Sequence, residues 1–371
     1  MPGPSPSPPA LVVSPPEPAV VSLPEPAAVT PPWVDDGLLP PALLRPRSRW
    51  VAARWSELPG FSTDTLHEAW NAWTRSCERP GAAFAALCPE IRVLSLASGD
   101  EQRRWMVQRL QPYRVEALGP ATDGLLTGYY EPVLQASRTR RAEYQTPLYR
   151  PPPGLATRKP WFTRKEMDTL PEAMAALGGH EIAWLADPID ALVLQIQGSG
   201  RLRFVDVEGA SQMVRMAYAA TNDQPYGSVG RWLLDQGQLR DASWPSIKNW
   251  IAQNPQRTRE LLWSNPRMVF FREEPLSDLD AAFGPKGAQG VALTPGRSIA
   301  VDRESIPYGT PVWLASGGPT LHLQRLVLAQ DTGSAITGAV RADYFAGWGP
   351  QAADVAGRLK QALQMWVLWP K

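Results

Sequence analysis

Prolines are distributed very unevenly along this chain, and their distribution limits which part of it can fold. Of the 40 prolines in 371 residues, 15 lie within residues 1–46, among Ser, Ala, Val and Glu with no sustained helical or strand period. Such a segment lacks amide donors and cannot bury much apolar surface. We therefore predict a disordered tether of polyproline II character over residues 1–48. A ligand for a proline-binding domain is the alternative interpretation.

The first residues do not have the pattern of an export signal. No Lys or Arg precedes Arg45, and no Cys near the start could accept a lipid. No stretch reaches the roughly 20 apolar residues that a membrane-spanning helix needs. The sequence as printed predicts a soluble chain without a signal peptide or lipobox. Either export follows another route, or the true start lies upstream of Met1.

Charge and composition disfavour several classes of function. The 37 Lys and Arg residues nearly balance the 36 Asp and Glu residues, which leaves no basic excess for a nucleic-acid groove. The 3 histidines lie far apart in sequence, at His67, His180 and His322. Cys77 and Cys88 are too widely spaced for a Cys-x-x-Cys site. These counts disfavour a metal cage and a Ser-His-Asp triad, so we expect carboxylates to carry any acid–base chemistry.

The segment that follows the tether has helical texture. In residues 62–78 a Ser/Thr/Asp cluster precedes apolar residues three or four apart, which predicts an amphipathic helix with an N-cap. Residues 82–95 and 99–111 are further helical segments. Cys77 and Cys88 lie near facing ends of the first two segments. Either a short-loop disulfide or two small core side chains fits that position.

The remainder of the chain alternates between strand and helix patterns. Residues 115–150 indicate strands broken by turns, and residues 188–207 alternate on both sides of Gly-Ser-Gly, which predicts a hairpin. Residues 211–264 have helical texture, and residues 267–272 form a short strand pattern. Residues 290–371 return to short strands with Gly and Pro turns. Short strands with little intervening helix indicate a small barrel rather than a doubly wound sheet.

Three aspartates in the last part of the chain are the sharpest chemical candidates. Asp302 and Asp331 each follow an apolar strand pattern, and Asp343 precedes Tyr344-Phe345. Each aspartate alone is consistent with a turn or loop cap. Carboxylates gathered in one cleft push their pKa values apart, so that one can hold a proton near neutral pH. Cleavage of a glycosidic bond by a general acid requires such a group.

Two further motifs carry uncharged polar groups beside glycines. Thr127 and Tyr129 lie in Leu-Thr-Gly-Tyr-Tyr, and Gln197 and Ser199 lie in Gln-Gly-Ser-Gly. Such donors and acceptors suit the hydroxyl and acetamido groups of a sugar. Packing within a barrel is the alternative for the tyrosines, and the glycines alone indicate only turns.

Among the 16 tryptophans, Trp348 is the candidate for stacking on a sugar, because it closely follows Asp343. Trp366 and Trp369 lie in a closing strand pattern and are expected to pack internally. The tryptophans at helical positions are expected to be core residues: Trp70, Trp73, Trp232, Trp250 and Trp263.

Seven segments in order resemble the membrane-bound lytic murein transglycosylase A family. They are LTGYYEPVLQASRTRRAEYQTPLYRPP (126–152), LQIQGSGRLRF (194–204), YGSVGRWLLDQG (226–237), NPRMVFFRE (265–273), GPKGAQGVALTPGRSIAVDRESIPYGTPVW (284–313), LAQDTGSAITGAVRADYFAGWG (328–349) and WVLWPK (366–371). The resemblance covers residues 115–371, about two-thirds of the chain.

The resemblance implies a mainly β fold with accessory helices. Members have a double-psi β-barrel that carries the three aspartates and a second, inserted β-barrel-like domain, with a peptidoglycan groove between them. In this chain it implies an N-terminal helical region over residues 49–114, a substrate-binding domain over residues 115–275, and a three-aspartate domain over residues 284–371.

The resemblance also implies a reaction. Family members cleave the β-1,4 bond between N-acetylmuramic acid and N-acetylglucosamine without water and leave a 1,6-anhydro end. It assigns the acid and base role to Asp343, with Asp331 and Asp302 lining the site. No metal or organic cofactor is implied. A peptidoglycan-binding module without turnover and a hydrolase that uses water remain alternatives.

Substrate contacts and cellular context follow from the same resemblance. The residues expected to contact or shape the bound glycan are Thr127, Gly128, Tyr129, Gln197, Gly198, Ser199, Gly200 and Trp348. The expected partners are peptidoglycan strands and other cell-wall enzymes, not nucleic acid, and the protein is expected to be a monomer. The implied location is the periplasmic face of the cell envelope, in association with the outer membrane.

Overall fold

The computed structural model describes residues 36–119, 124–205 and 211–371. The elements up to the first long strands are β1 (Leu43–Leu44), β2 (Arg49–Ala52), α1 (Leu66–Ser76), α2 (Cys88–Val93), α3 (Gly99–Arg109), β3 (Leu110–Glu116) and β4 (Gly124–Glu131). The middle elements are β5 (Val133–Ala136), β6 (Thr146–Tyr149), α4 (Arg164–Thr169), α5 (Pro171–Leu177), β7 (Glu181–Leu185), α6 (Pro188–Gln197), β8 (Gly200–Val205), β9 (Ser211–Thr221), α7 (Val229–Asp235), α8 (Trp244–Gln253), α9 (Thr258–Trp263), β10 (Val269–Pro275) and α10 (Asp278–Ala281). The last are β11 (Ser298–Val301), β12 (Pro311–Gly317), β13 (His322–Asp331), β14 (Arg341–Trp348), α11 (Gly349–Arg358) and β15 (Lys360–Pro370).

The largest sheet in the described residues has nine strands in the order β1-β2-β3-β15-β12-β13-β11-β14-β4. β11 and β13 are parallel, as are β14 and β4, and the other neighbours are antiparallel. β15 also pairs with β4 through Lys360 and Thr127. The strands β4, β14, β11, β13, β12 and β15 therefore form a hydrogen-bonded series that returns to β4. Its apolar core includes Val301, Val312 and Val367, all fully buried.

The chain leaves this sheet after β4 and returns to it at β11. The intervening segment forms a four-stranded sheet, β10-β9-β8-β5, and a two-stranded sheet, β6-β7. Helices α4 to α9 belong to the same segment of the chain. The molecule is thus a mixed helix and strand protein in which an inserted unit interrupts the nine-stranded sheet.

The N-terminal helices pack on the nine-stranded sheet, as the helical periodicity predicts. The apolar stripe of α1 is buried, and Trp70 and Trp73 from it form a ring cluster with Trp105 of α3 at centroid distances of 5.0 to 5.8 Å. Cys77 and Cys88 form a disulfide, which resolves the alternative left open by the sequence. The buried Arg297 fixes these helices to the sheet by pairing with Asp64 at 2.8 Å.

A buried charge cluster fixes the inserted unit to the end of β4. Glu131 is fully buried and accepts hydrogen bonds from Arg201 Nε at 2.7 Å and Arg215 Nε at 2.6 Å. Both guanidinium groups also donate to the backbone carbonyl of Phe283, and Arg201 donates to that of Ala281. The cluster therefore connects β4, β8, β9 and the segment that leads back to the sheet.

Two of the predicted elements are wrong, and one helix was not predicted. Residues 188–197 form helix α6 rather than the first strand of a hairpin. This helix is apolar on opposite sides because Leu194 packs against the inserted sheet and Leu192 packs against helices α7 to α9, so its period resembled a strand. Residues 211–221 form β9, because pairing with β8 and β10 overrides the helix propensity of its Met and Ala residues. Helix α11 interrupts the C-terminal strands and was not predicted.

Residues 1–35, most of the predicted tether, lie outside the described residues. The structure differs from the prediction over the last residues of that segment. β1 pairs with β2 through Leu43 and Trp50, and the buried Ser48 donates to the carbonyl oxygen of Ser305. Among the described residues, no helix combines the length and the apolar character needed to cross a membrane.

We predict that Glu131→Gln strongly destabilises the protein. The amide leaves two buried guanidinium charges without a carboxylate, and breaking a buried pair in this way typically costs about 3–5 kcal/mol of unfolding free energy. Chemical denaturation of the purified protein measures this change. Asp235→Asn is the control, because Arg231 and Asp235 form a pair whose side chains are 75% and 55% exposed, and we expect a change below about 1 kcal/mol. Equal losses in the two variants would contradict the anchoring role of Glu131.

Candidate active site

Two of the predicted aspartates lie on either side of one residue of β11. Ala300 pairs with Asp331 of β13 on one side and with Asp343 of β14 on the other, and Asp343 pairs with Thr127 of β4. Residues paired across neighbouring strands direct their side chains to the same face of a sheet. The register therefore brings Asp331, Asp343 and Thr127 into one row, although they are far apart in sequence.

Asp343 has a hydrogen-bond donor on one of its two carboxyl oxygens. Thr127 Oγ1 donates to Asp343 Oδ1 at 2.5 Å, and Arg341 Nη2 donates to Thr127 Oγ1 at 2.8 Å. Because the Thr127 oxygen accepts from Arg341, its own hydrogen is directed at Asp343. Burial raises the pKa of Asp343, whereas the Thr127 hydrogen bond and the Arg341 charge lower it. Asp343 Oδ2 has no hydrogen-bond partner among the described residues.

Asp331 accepts three hydrogen bonds. Tyr129 Oη donates to Oδ2 at 2.9 Å, and the backbone amides of Ala288 and Thr332 donate to Oδ1 at 2.9 Å each. Burial raises the pKa of Asp331 to about 6, the three hydrogen bonds oppose that rise, and the negative charge of Asp343 adds to it. Because all three hydrogen bonds stabilise the ionised form, Asp331 accepts hydrogen bonds as a carboxylate.

The charges of both carboxyl groups affect the pKa of Tyr129. Burial raises the pKa of Tyr129 well above its ordinary value, and the charges of Asp331 and Asp343 raise it further. Its ring packs on Phe345 at a centroid distance of 5.3 Å. The phenol therefore stays protonated and acts as a fixed hydrogen-bond donor.

Asp302 has a different environment from the other two aspartates. The backbone amides of Gly338 and Glu304 donate to its carboxylate at 2.9 and 3.0 Å, and Arg47 Nη1 pairs with it at 3.2 Å. The Gly338 contact fixes the loop that connects Asp331 to β14. Asp302 lines neither of the cavities described next. Its contact with the protein around the site is the hydrogen bond from Gly338.

Two adjoining cavities form a groove between the inserted unit and the aspartates. The larger, of about 550 Å³, is lined by Asp331 and Tyr129 from one side and by Gln197 and Ser199 from the other. The smaller, of about 190 Å³, is lined by Asp343. Both cavities include the residues Arg267, Gly333 and Ser334 in their walls. The larger lies within the usual range of ligand sites in proteins.

The residues of the Gln-Gly-Ser-Gly motif differ in what they contribute. Gln197 ends α6 and accepts a hydrogen bond from the Tyr130 amide at 3.0 Å, which joins this motif to β4. Gly198 is left-handed, with φ of 81°, and ends the helix while lining the larger cavity. A Cβ at Gly200 would lie 2.2 Å from Leu194 Cδ1, so Gly200 is needed for packing.

Four of the predicted substrate contacts line neither cavity: Thr127, Gly128, Gly200 and Trp348. Gly128 faces α11, where a Cβ would lie 2.8 Å from the Ala356 Cα atom. Trp348 packs against the Arg201 guanidinium, whose carbon is 3.9 Å from the ring centroid, and lines neither cavity.

Sequence reasoning missed two exposed aromatic rings in the groove. Tyr218 of β9 lines the larger cavity and is 47% exposed, and Tyr226 lines the smaller and is 41% exposed. Exposed rings in a polar groove suit the apolar faces of sugars. The sequence pattern predicts helices over residues 211–264, a range that includes both tyrosines, and it does not indicate that either ring faces a groove.

The side chains of the site are suited to acid–base chemistry. Within the described ranges, no group of His, Cys, Asp or Glu side chains could hold a metal ion. A half-buried carboxyl with a raised pKa keeps its proton to higher pH than a free carboxyl does and can release it to a bound ligand. The arrangement of Asp343, Asp331 and the donors of the groove is therefore suited to general-acid chemistry on a polar, extended ligand.

Comparison with known proteins gives two domain matches that coincide with this architecture. Residues 125–272 match the MltA specific insert domain, and residues 297–369 match the 3D domain. The first range covers most of the inserted unit, and the second contains all three aspartates.

Similar proteins are lytic transglycosylases by name. Membrane-bound lytic murein transglycosylase A of Escherichia coli strain K12 is 33% identical over 284 residues, which are 74% of this chain and 73% of that protein. The lytic transglycosylase LtgG of Burkholderia pseudomallei is 42% identical, with a TM-score of 0.59 over 91% of this chain and 100% of that one. E. coli MltA with bound chitohexaose is 25% identical, with a TM-score of 0.69 over 89% of this chain and 93% of that one.

The inserted unit beside a carboxylate-bearing sheet thus defines an MltA-type protein. The chain belongs to the membrane-bound lytic murein transglycosylase A family, which confirms the resemblance found in the sequence.

We predict that Tyr129→Phe raises the pKa of Asp331 above about 6, because the hydrogen bond from Tyr129 lowers it in the native site. Titration of the aspartate carboxyl carbons by NMR measures this value. Tyr113→Phe serves as the control, since Tyr113 is buried on β3 and does not contact Asp331. An unchanged or lowered pKa in Tyr129→Phe would contradict the assigned contact.

Proposed function

We propose that this protein is a lytic transglycosylase that cleaves the β-1,4 bond between N-acetylmuramic acid and N-acetylglucosamine in peptidoglycan. The observation that carries the proposal is the geometry of Asp343, a half-buried carboxyl that lines the groove and has one oxygen fixed by Thr127. Membership of the family supports peptidoglycan as the substrate class. The bound chitohexaose of the E. coli relative supports a glycan as ligand.

In the first step Asp343 acts as the general acid. Its protonated carboxyl donates a proton to the glycosidic oxygen, the bond from that oxygen to the muramyl anomeric carbon breaks, and N-acetylglucosamine leaves with a free hydroxyl. Because Thr127 donates to Oδ1, we assign the transferred proton to Oδ2. The hydrogen bond also stabilises the carboxylate as it forms.

In the second step the same group acts as the base. The 6-hydroxyl of the muramyl residue attacks the anomeric carbon, and its proton passes to the Asp343 carboxylate. A 1,6-anhydro ring forms and Asp343 recovers its proton, so no water is consumed and no cofactor is needed. A single titrating carboxyl therefore suffices, and a second carboxylate is not required to activate water.

Asp331 supports this chemistry as a fixed negative group. Its carboxylate accepts hydrogen bonds from three donors. Asp331 and Asp343 pair with the same residue, Ala300, from the two neighbouring strands. We assign it the stabilisation of positive charge that develops at the anomeric carbon. Asp302 acts as a positioning residue through its contact with Gly338.

The inserted unit supplies the opposite wall of the substrate groove. Gln197 and Ser199 line it with amide and hydroxyl groups, and Tyr218 and Tyr226 present exposed rings. These groups can hydrogen bond and stack on successive sugars. A substrate of this kind places the site on the periplasmic side of the cell envelope, where peptidoglycan lies.

The returning series of six strands supports the finer description of the fold. We propose that β4, β14, β11, β13, β12 and β15 form the double-psi barrel implied by the family, and that the chain divides near residues 115 and 284 as the sequence predicts. The parallel β11/β13 and β14/β4 pairs within an otherwise antiparallel series support this description.

Asp343→Asn is expected to abolish cleavage, because an amide cannot supply the proton or take it back. We expect a fall of at least about a thousandfold in the rate at which purified sacculi release anhydromuropeptides, since this residue carries both proton transfers. Liquid chromatography with mass spectrometry measures the products. Asp354→Asn is the control, since Asp354 is exposed on α11 and pairs with Arg358. Activity retained by Asp343→Asn would overturn the assignment.

The same digest distinguishes the alternatives. Products heavier by one water would identify a hydrolase that uses the same groove. Binding of sacculi by the wild-type protein without new anhydro ends would identify a peptidoglycan-binding module.

Thr127→Val is expected to shift the pH dependence of cleavage. The Thr127 hydrogen bond lowers the pKa of Asp343, so its loss raises that pKa and keeps the acid form protonated to higher pH. The descending limb on the alkaline side of the pH–rate profile should therefore move to higher pH, with a lower maximal rate. A limb that stays in place or moves to lower pH would contradict the role of Thr127.

A further inference from the structure

The groove is more positive than the cleavage chemistry requires. Four cations line its two cavities: Arg79, Arg267, Arg272 and Lys286. The carboxylates in the same walls are Asp331 and Asp343. A neutral sugar chain would not need such an excess of positive charge, so the ligand should contribute negative charge.

Most of these cations have no carboxylate partner among the residues that the structure describes. Arg272 pairs with Glu274 at 2.7 Å and is neutralised by it. Among the described residues, the side chains of Arg79, Arg267 and Lys286 take part in no ion pair or side-chain hydrogen bond. Arg79 and Lys286 are exposed, whereas Arg267 is half-buried and lies where the two cavities meet. We refer to these three as the groove cations.

A buried guanidinium behind the smaller cavity adds to this positive charge. Arg164 is buried and donates to the Gln195 side chain at 2.6 Å, and to the carbonyls of Arg267 at 2.6 Å and Asn265 at 3.1 Å. All three acceptors belong to residues that line the smaller cavity. Burial lowers the pKa of Arg164 to about 10, and Asp168 opposes this only through its charge at a distance. Arg164 therefore stays positive at neutral pH without a carboxylate in contact.

We propose that the groove cations bind carboxylate groups carried by the substituents of the glycan, and that Arg267 is a specificity-determining residue for carboxylate-bearing strands. This inference rests on the proposed function and names the chemical feature of the substrate that the site selects. A guanidinium matches a carboxylate through two parallel hydrogen bonds, and Arg267 lines both the cavity of Asp331 and the cavity of Asp343.

Peptidoglycan offers two sources of such carboxylates. A muramyl residue without peptide ends in a free lactyl carboxylate. A muramyl residue with a stem peptide has that group in an amide bond, and its carboxylates lie further out on the peptide. Arg267 lines the cavity that contains Asp343 and suits the nearer group, whereas Arg79 and Lys286 line only the larger cavity and suit groups further out. Both sources share carboxylate chemistry, and the test separates them.

The test compares three soluble substrates of matched length. They are peptide-bearing strands, peptide-free strands with free lactyl carboxylates, and the same peptide-free strands after chemical amidation of those carboxylates. The readout is kcat/KM for the formation of anhydro ends. We expect the wild-type protein to prefer at least one carboxylate-bearing substrate about tenfold over the amidated strands, as one charge-assisted contact provides. The preferred substrate identifies the source, and the preference should shrink as salt is raised.

Arg267→Gln is expected to reduce, by about tenfold, the ratio of kcat/KM on the preferred substrate to kcat/KM on the amidated strands. Arg79→Gln and Lys286→Gln change exposed side chains, so they test the same idea without a risk to folding. Arg259→Gln is the matched control, since Arg259 is an exposed cation of α9 that lines neither cavity and forms no ion pair in the described structure. The control should retain the wild-type preference.

The outcomes separate this inference from the proposed function. If the wild-type protein cleaves amidated strands as well as the others, or if Arg267→Gln lowers cleavage of all three substrates equally, the inference is overturned and the function stands. If no substrate yields anhydro ends with the wild-type protein, the proposed function itself fails.

Discussion

The buried carboxylate of Glu131 is the contact on which the rest of the architecture depends. It lies at the end of β4, the strand that carries Thr127 and Tyr129, and it holds Arg201 and Arg215 of the inserted sheet. Two guanidinium groups in a buried site require a carboxylate partner, so the inserted unit has one favourable position at this point of the chain. Because β8 begins directly after Gln197 and Ser199, the same contact places these two side chains opposite the aspartates.

Strand register and burial together give the site its chemistry. Pairing on both edges of β11 brings Asp331 and Asp343 to one face, and burial raises the pKa of each. Hydrogen bonds then differentiate them, since Asp331 accepts from three donors and Asp343 from one. The result is one carboxyl fixed as an acceptor and another with an oxygen available to a ligand. The segment that contains Cys77 of the disulfide contacts the loop before β11, because the Gln289 side chain donates to the carbonyl oxygens of Ser76 and Arg79.

Several features could be predicted from the sequence because they depend on local pattern or on motifs in order. The amphipathic period predicts α1, and the family motifs include Asp331 and Asp343. Other predictions failed where packing overrides pattern. Helix α6 is buried on two sides and has no polar face, so its period resembled that of a strand. β9 has helix-forming residues but lies between two strands. Trp348 is next to the site in sequence, yet its ring packs on Arg201.

The sequence by itself determined the family, the helical N-terminal region and the residues from which an acid–base site could be built. It did so because motif identity and short-range period are properties of neighbouring residues. Only the tertiary structure decided that Asp302 accepts a hydrogen bond from the loop before β14, that Tyr218 and Tyr226 line the groove, and that Arg79, Arg267 and Lys286 have no ion-pair partner among the described residues. Whether a side chain has an ion-pair partner and whether it is buried depend on residues far apart in the chain. Both are set by the surfaces that the Glu131 cluster and the strand register bring together.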